Sequence, residues 1–198
     1  MKQSPKMPAE KRHAQLVKAA LKVFLKKGYA GATTAEIAKA AKLTKGALYF
    51  HFKSKEDIFF AVIRERNEAW ANAFDDYIEN IKDPDEFVEV SINEAFNLIK
   101  NQMYFTIDLW QRANKIPKIK GYLMQEHFKV EEKIVDYLVL YSDLKQNEAR
   151  NFIRLLHAMI DGVMIRQMLC FAKDDLETLK ENIILISKLY LRKDKISG

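Results

Sequence analysis

Residues 33–52, with the sequence TTAEIAKAAKLTKGALYFHF, predict two short helices joined by a tight turn. Thr33 and Glu36 have the spacing of a capping box, in which each side chain accepts a backbone N–H at a helix start. Small apolar residues then recur at helical spacing, and Thr44 is an N-cap candidate for the second helix. Two short helices in this order are typical of a helix-turn-helix.

The segments on both sides of this stretch support the interpretation. LVKAALKVFLKKGYAGATT covers residues 16–34, and KSKEDIF covers residues 53–59. Together with the central stretch, they resemble the N-terminal domain of TetR-family transcriptional repressors, over the first third of the chain. The residues that carry the resemblance are Ala20, Phe24, Gly28, Tyr29, Thr33, Thr34, Ile37, Ala38, Ala41, Thr44, Gly46, Leu48, Tyr49, His51, Phe52 and Lys55.

The resemblance implies that the second helix of the motif enters the major groove of a double-stranded DNA operator, with two copies on a palindrome. It assigns phosphate contacts to Tyr49, His51 and Lys55, and it places Lys45 within reach of a guanine edge. Core packing is the alternative for Tyr49 and the favoured interpretation for Phe52. The full predicted DNA-binding set is Thr33, Thr34, Thr44, Lys45, Gly46, Tyr49, His51 and Lys55.

The turn between the two helices departs from the family pattern at one position. Lys42 stands where the family usually has glycine. A glycine takes a positive φ freely, whereas a lysine in that conformation costs about 1 kcal/mol. The tilt of the second helix therefore does not follow from the resemblance alone.

Length and composition indicate a helical, cytoplasmic protein. The chain has 198 residues, of which 48% are hydrophobic and 30% are charged, as in ordinary globular proteins. Six glycines and four prolines are few for the many turns of an all-β fold. The single cysteine, Cys170, excludes an internal disulfide and suits a reducing compartment. Since no apolar run approaches a membrane span and the N-terminus lacks a signal-peptide core, we expect a cytoplasmic location, no membrane partner and no cofactor.

The net charge of +6 is unevenly distributed along the chain. Residues 1–55 hold 13 lysines and arginines against 2 acidic residues, a net charge of +11. Residues 56–198 hold 20 against 25, a net charge of −5. A basic segment that coincides with a helix-turn-helix indicates a nucleic-acid partner for that segment.

Helical periodicity divides the chain into two domains. The first helix is predicted at residues 9–27, with Gly28 as its cap, and a long helix at residues 54–82 begins at Ser54. The start of the long helix sets the predicted boundary between a helix-turn-helix domain, residues 1–53, and a ligand-binding and dimerisation domain, residues 54–198. Further helices are predicted at residues 84–101, 103–114, 118–141, 146–172 and 174–192, so the predicted fold class is all-α.

The last two predicted helices are apolar on more than one face. In the first of them, one face carries Ile153, Leu156, Ile160 and Met164, and another carries Leu155, Met159, Val163 and Cys170. The last helix is apolar at Ile183, Ile184, Ile186, Leu189 and Tyr190. A helix with two apolar faces must be buried twice. In the TetR family these helices pair with their copies, so the resemblance implies a homodimer.

The C-terminal domain is also the expected site for an apolar or amphipathic small-molecule effector. Ligand pockets are mainly apolar and contain a few polar groups. The candidate residues are Phe96, Met103, Phe105, Trp110, Tyr122, Met124, His127, Phe128 and Met159. The alternative is that these side chains fill a helical core.

An enzyme or metal-binding protein that uses the helix-turn-helix only as a scaffold is the alternative function. His127 and Glu131 share a helix face, as do His157 and Asp161, and two such pairs on facing helices occur in metal-binding bundles. Surface or hydrogen-bonded pairs are the simpler explanation. The common catalytic and phosphate-binding motifs are missing from the sequence, so we expect no enzymatic activity.

Overall fold

The chain is helical throughout the part that the computed structural model describes, residues 8–169 and 175–192. These residues form eight α-helices and no β-strand, which confirms the predicted fold class. The helices are α1 (Ala9–Gly31), α2 (Thr34–Ala40), α3 (Lys45–His51), α4 (Lys55–Asn80), α5 (Pro84–Ala113), α6 (Pro117–Tyr141), α7 (Gln146–Met168) and α8 (Leu176–Leu191).

The capping signals in the sequence set the starts of α2 and α3. The Thr33 hydroxyl accepts the backbone N–H of Glu36, and the Glu36 carboxylate accepts the backbone N–H of Thr33, so the predicted capping box is present. The Thr44 hydroxyl accepts the backbone N–H of Ala47 at 3.1 Å and caps α3. Both caps fix where each short helix begins.

Helix α1 changes direction at Gly28, where the sequence predicts the helix end. This glycine has φ of 68° and ψ of 170°, so its backbone leaves helical geometry although the helix resumes to Gly31. A positive φ costs little at glycine because the residue has no Cβ.

The prediction of two helices between residues 84 and 114 is wrong. A single helix, α5, covers Pro84–Ala113 without interruption. The segment contains no glycine and has proline only at its first position, so nothing in it ends a helix. The predicted end of the next-to-last helix at Ala172 and the predicted start of the last helix at Asp174 lie outside the described residues.

By its internal contacts the chain divides into two units. The first contains the residues up to Trp70 together with Tyr104–Ile119, and the second contains Ala71–Met103 and the residues from Lys120 onward. Helices α4 and α5 therefore contribute to both units. The predicted functional boundary between residues 53 and 54 stays a prediction.

Each unit has its own apolar core. In the first unit, α1 supplies Leu16, Ala20 and Phe24 to a core that α3 and α4 complete. Phe52 is buried there, as expected. In the second unit, buried residues of α4–α8 form one cluster: Phe74, Phe87, Val88, Ile92, Phe96, Ile99, Val135, Tyr137, Leu138, Leu144, Ala149, Phe152, Ile153, Leu156, Val163, Met164, Ile183 and Leu191. Within the described residues, every helix falls short of the length and apolarity needed to span a bilayer.

The two apolar faces of α7 and α8 differ in part from the prediction. Ile153, Leu156 and Met164 are buried in the second unit's core, as the first face predicts. Of the second predicted face, Leu155 is exposed. Val163 of that face is instead buried in the core of its own unit, beside Met164. The exposed apolar residues of these helices are Leu155, Ile165, Met168, Leu169, Leu185, Ile186 and Leu189. Cys170 lies outside the described residues.

Candidate nucleic-acid interface

Helix α3 has one side in the core and one side free. Leu48 is fully buried and anchors the helix, whereas the side chain of Tyr49 is 46% exposed and that of Phe50 is 82% exposed. Tyr49 therefore does not pack in the core. The Phe50 ring on the outer face of this short helix is therefore accessible to a partner.

Three of the predicted DNA-binding residues lie together on this face. The Thr34 hydroxyl is 3.2 Å from the Tyr49 hydroxyl, and the Lys45 Nζ lies 5.8 Å from the centre of the Tyr49 ring. The contact joins the first turn of α2 to the middle of α3. It presents two hydroxyl groups and an ammonium group on one surface, which are groups that bind phosphate oxygens.

The two capping threonines differ in what they leave available. The Thr33 hydroxyl accepts a backbone N–H and donates its proton to the Glu36 carboxylate at 2.9 Å. The Thr44 hydroxyl accepts only the Ala47 N–H among the described contacts, so its proton remains free for a donor role. Of the two, Thr44 is therefore better placed to donate to a phosphate.

The carboxylate of Glu36 is held ionised beside this surface. Lys27 forms an ion pair with it, and Thr33 donates to it, and together these partners lower the pKa of Glu36 to about 2. The positive charge of Lys27 is thus compensated in part by a carboxylate within the chain. Among the described cationic residues of segment 1–55, Lys27 alone forms an ion pair.

His51 ends α3 next to the start of α1. Its ring centre is 5.3 Å from that of Phe50 and 6.3 Å from that of His13, and the His13 ring lies 4.8 Å from the Phe52 ring. The contacts bring the first turns of α1 against the last turn of α3. Gly46 is exposed, and a Cβ there would meet only Thr44 at 3.9 Å, so the chain itself leaves room for a side chain at that position.

Lys55 has partners within the chain. Its ammonium group donates to the carbonyls of Tyr29 at 2.8 Å and Ala32 at 2.9 Å, and it lies 4.4 Å from the centre of the Tyr29 ring. Both carbonyls follow the Gly28 kink near the end of α1. Lys55 therefore stabilises the end of α1, and its phosphate contact stays a prediction.

Lys42 adopts the conformation that its position in the turn requires. Its φ is 54°, and it is the one non-glycine residue with positive φ in the described part of the chain. The Leu43 N–H donates to the Ala38 carbonyl at 2.9 Å and the Lys42 N–H to the Lys39 carbonyl at 3.0 Å. This pair of bonds is the Schellman motif, which favours glycine at the residue that Lys42 occupies and costs about 1 kcal/mol with any other L-residue.

A groove lies between the start of α1 and the outer side of α3. Its volume is about 610 Å³. The residues that line it are Ala9, Arg12, Lys42, Leu43, Thr44, Ala47, Phe50 and His51. In this set, Thr44 and His51 are DNA-binding residues that the sequence predicts. Arg12, Lys42 and Phe50 are not among the predicted residues. The charge of Arg12 and the position of Phe50 beside Tyr49 are the signals that could have identified them.

The predicted effector residues are spread over both units. Phe105 and Trp110 belong to the first unit, where Phe105 is buried against Phe59 at 5.5 Å between ring centres. The remaining seven belong to the second unit. Phe96, Met103 and Met159 pack in or against its core, Tyr122 is half-buried, and Met124, His127 and Phe128 are exposed. Their role in binding an effector stays a prediction.

One predicted effector residue lines a groove in the second unit. Phe96 forms part of a cleft of about 270 Å³ on α5 and α8. Its other lining residues are Asn93, Asn97, Lys100, Leu176, Glu177 and Lys180.

The two histidine–carboxylate pairs on α6 and α7 do lie together. The rings of His127 and His157 are 5.3 Å apart, and His127 Nε2 is 3.5 Å from the Glu131 carboxylate. Glu131 is buried and also binds Arg150 and Arg154, each at 3.2 Å. Two arginines thus neutralise this carboxylate, and the described residues contain no set of three histidine, cysteine or acidic side chains suited to a metal ion.

Comparison with known proteins gives a family match for the N-terminal part of the chain. Residues 16–62 match the model of the bacterial regulatory proteins of the tetR family. The fatty acid metabolism regulator protein of Bacillus subtilis (strain 168) is 27% identical over 123 residues, which are 57% of this chain and 62% of that protein. The chain therefore matches less than two thirds of that relative's length.

Solved structures share the whole fold. A transcriptional regulator from Saccharomonospora viridis in complex with choline superposes with a TM-score of 0.76 at 16% identity, covering 88% of this chain and 94% of that one. The regulator FadR from Bacillus subtilis in complex with stearoyl-CoA gives 0.68 at 21% identity, covering 90% and 97%. The N-terminal part of the chain thus matches the tetR family of bacterial regulatory proteins, and the chain as a whole shares the fold of these solved transcriptional regulators.

Proposed function

We propose that the chain is a transcriptional repressor that binds a palindromic DNA operator as a homodimer and responds to a small-molecule effector. The observation that carries the proposal is the free face of α3, where Lys45, Tyr49 and Phe50 are exposed. That face belongs to a segment with a net charge of +11. A basic surface with exposed hydroxyl and aromatic groups on the second helix of a helix-turn-helix suits the major groove.

The contacts to DNA divide into two kinds. Thr34, Thr44 and Tyr49 offer hydroxyls to phosphate oxygens, which fix the protein on the duplex and carry no sequence information. Lys45 and Phe50 face outward from α3 and reach base edges: the ammonium binds guanine, and the ring contacts a thymine methyl group. Affinity then depends on the first set, and sequence preference on the second.

The exposed apolar residues of α7 and α8 support the homodimer. Leu185, Ile186 and Leu189 recur at the spacing of one helix face, and so do Leu155 and Ile165 of α7 with Leu169 at its C-cap. Large apolar residues in a contiguous exposed patch mark an interaction surface. A second copy of the same chain, with its α7 and α8 on these residues, would form a four-helix interface with two-fold symmetry.

The effector proposal draws on the family and on the second unit. FadR of Bacillus subtilis binds stearoyl-CoA, and the Saccharomonospora regulator binds choline. Both ligands combine an apolar or methylated part with a charged part. In this chain, methionines and aromatic residues of α5–α7 supply apolar surface, and Asn93, His127 and His157 supply polar groups. We therefore propose an apolar or amphipathic effector.

The experiment that tests the function is selection of duplexes from a random library with the purified protein. We expect enrichment of a palindrome whose half-sites lie about one helical turn apart, roughly 34–36 Å. The matched control is the double variant Tyr49→Ala, Phe50→Ala, which removes exposed groups of α3 and should enrich nothing. Equal enrichment by protein and control would overturn the proposal. Addition of stearoyl-CoA or choline to the selected complex then tests the first two effector candidates.

A further inference from the structure

Lys42 occupies a strained position in the turn of the helix-turn-helix. Lys42 has a φ of 54°, as the Schellman motif requires at this position. Glycine adopts this φ without strain, and lysine does not. Backbone strain of this kind concentrates at functional sites, where the side chain contributes more than the strain costs. The question is therefore what the Lys42 side chain does.

The surroundings of Lys42 are held in place from α1. The Gln15 side-chain amide donates to the Ala41 carbonyl at 2.8 Å, one residue before Lys42. Lys42 and Arg12 both line the groove of about 610 Å³ between α1 and α3. The same groove is bordered by Thr44 and Phe50, which belong to the proposed DNA surface.

The two cations have no anionic partner of their own. Among the described residues, neither Arg12 nor Lys42 forms an ion pair. Of the acidic residues in the basic segment, Glu36 is paired with Lys27, and Glu10 is exposed at the start of α1 without an ion pair to either cation. The groove therefore presents two uncompensated positive charges and the free hydroxyl proton of Thr44.

We propose that Arg12 and Lys42 form a subsite for one backbone phosphate of the DNA, at the rim of this groove. The subsite rests on the proposed function and extends it beyond α3 to the turn and to the start of α1. Its occupant is a phosphodiester, because the site joins the face that meets the bases and its charged and polar groups include two cations and a hydroxyl donor. The lysine side chain thereby gives a function to a strained residue in the turn.

Three variants test the subsite on the selected duplex. Lys42→Gly keeps the turn and removes its strain and its charge, so unfolding in urea should need more denaturant while DNA affinity falls about three- to tenfold at moderate salt. The slope of log affinity against log salt should decrease by about 0.9, the value for one phosphate contact. Arg12→Gln should produce a similar loss without any change in the turn, and Lys42→Arg should retain the affinity.

Lys22→Gln is the matched control, because it removes the same charge from the same unit. Lys22 is exposed on α1, ten residues from Arg12, which is about 15 Å along a helix and beyond the Debye length at physiological salt. The affinity of Lys22→Gln for the selected duplex, and the salt dependence of that affinity, should stay close to those of the parent protein. The subsite is supported if Lys42→Gly raises the stability of the protein and at the same time lowers its affinity for DNA.

The results separate the subsite from the proposed function. If the parent protein binds the selected duplex but Lys42→Gly and Arg12→Gln keep its affinity and salt slope, the subsite is wrong and the function stands. If the loss in Lys42→Gly equals that in Lys22→Gln, a general charge effect replaces the subsite. A parent protein that enriches and binds no duplex overturns the function and the subsite together.

Discussion

The backbone N–H of Tyr29 donates a hydrogen bond of 2.6 Å to the Asp108 carboxylate, and this bond joins the end of α1 to the last turns of α5. A Cβ at Gly28 would lie 3.0 Å from the same carboxylate oxygen, so glycine suits this position both for space and for its φ of 68°. The Arg112 guanidinium lies 4.7 Å from the centre of the Tyr29 ring. The end of α1 is thus fixed by residues far along the chain.

Asp108→Ala should lower the free energy of unfolding by about 1.5–3 kcal/mol, because it removes a charged acceptor and leaves the part-buried Tyr29 N–H without a partner. Urea unfolding followed by circular dichroism measures this. Asp76→Ala is the control, since Asp76 is exposed on α4, and its effect should stay within about 0.5 kcal/mol. Equal effects of the two changes would show that the Tyr29–Asp108 bond contributes nothing specific.

Tyr49→Phe should weaken binding to every duplex sequence by about fivefold, the equivalent of roughly 1 kcal/mol for one hydrogen bond. The Tyr49 hydroxyl that this variant loses lies 3.2 Å from the Thr34 hydroxyl on the exposed surface. We propose that it binds a phosphate of the DNA. Fluorescence anisotropy with the selected and a scrambled duplex gives both affinities. Tyr104→Phe removes the hydroxyl of an exposed tyrosine on α5 and should change neither. Unchanged affinity in Tyr49→Phe would exclude the phosphate contact.

Phe50→Ala should affect sequence preference more than overall affinity. Its ring is 82% exposed, so its removal should change the free energy of unfolding by less than about 0.5 kcal/mol. Loss of a ring that contacts a thymine methyl group should weaken the preference at one base pair, where a mismatch typically costs about 1–3 kcal/mol. Competition with duplexes substituted at each position measures it. An identical preference profile in parent and variant would exclude base contact by Phe50.

Ile186→Glu should give a folded monomer. Ile186 is exposed on α8, whereas Ile184, two residues earlier, packs against the core of the second unit. Ile184→Glu should therefore destabilise the second unit, because it places a charge against the core. Light scattering gives the mass, and circular dichroism gives the helix content. A dimer of unchanged stability in Ile186→Glu would move the proposed interface away from this face.

The free energy of unfolding should fall as the pH drops below 6.5 toward the folded pKa of His157. Burial and the neighbouring His127 lower the pKa of His157, so the unfolded chain binds more protons in this range and low pH favours it. Asp161 and Glu131 oppose this shift, and the raised pKa of Asp161 contributes a slope of the opposite sign where that carboxyl titrates. Urea unfolding from about pH 7.5 to about pH 5.5 gives the free energy of unfolding as a function of pH. The slope of this dependence should be smaller in His157→Gln than in the parent protein. An equal slope in the variant would exclude His157 as its source.

Local sequence signals predict the first unit well because they act over a few residues. The capping box of Thr33 and Glu36, the cap at Thr44 and the kink at Gly28 all lie where the sequence predicts a change in the chain. The positive φ of Lys42 follows from its place in the turn. These features depend on backbone chemistry between near neighbours.

Features that depend on distant contacts do not follow from the pattern. The contact between Tyr29 and Asp108 joins residues 79 positions apart, beyond the reach of any local pattern. The partners of Lys55 and the burial of Val163 likewise depend on tertiary packing. The groove beside Lys42 needs α1 and α3 together, so the charge of Arg12 marks it as a DNA-binding candidate but does not place it in this groove.

The central claim is that α3 recognises a DNA sequence. Its most direct test is the affinity of the parent protein for the selected palindrome and for a scrambled duplex of equal length, measured by fluorescence anisotropy across a salt series. We predict that the palindrome binds two chains and at least about 10³-fold more tightly than the scrambled duplex, with affinity that falls steeply as salt rises. Equal affinities for the two duplexes, or affinity that is independent of salt, would contradict the account.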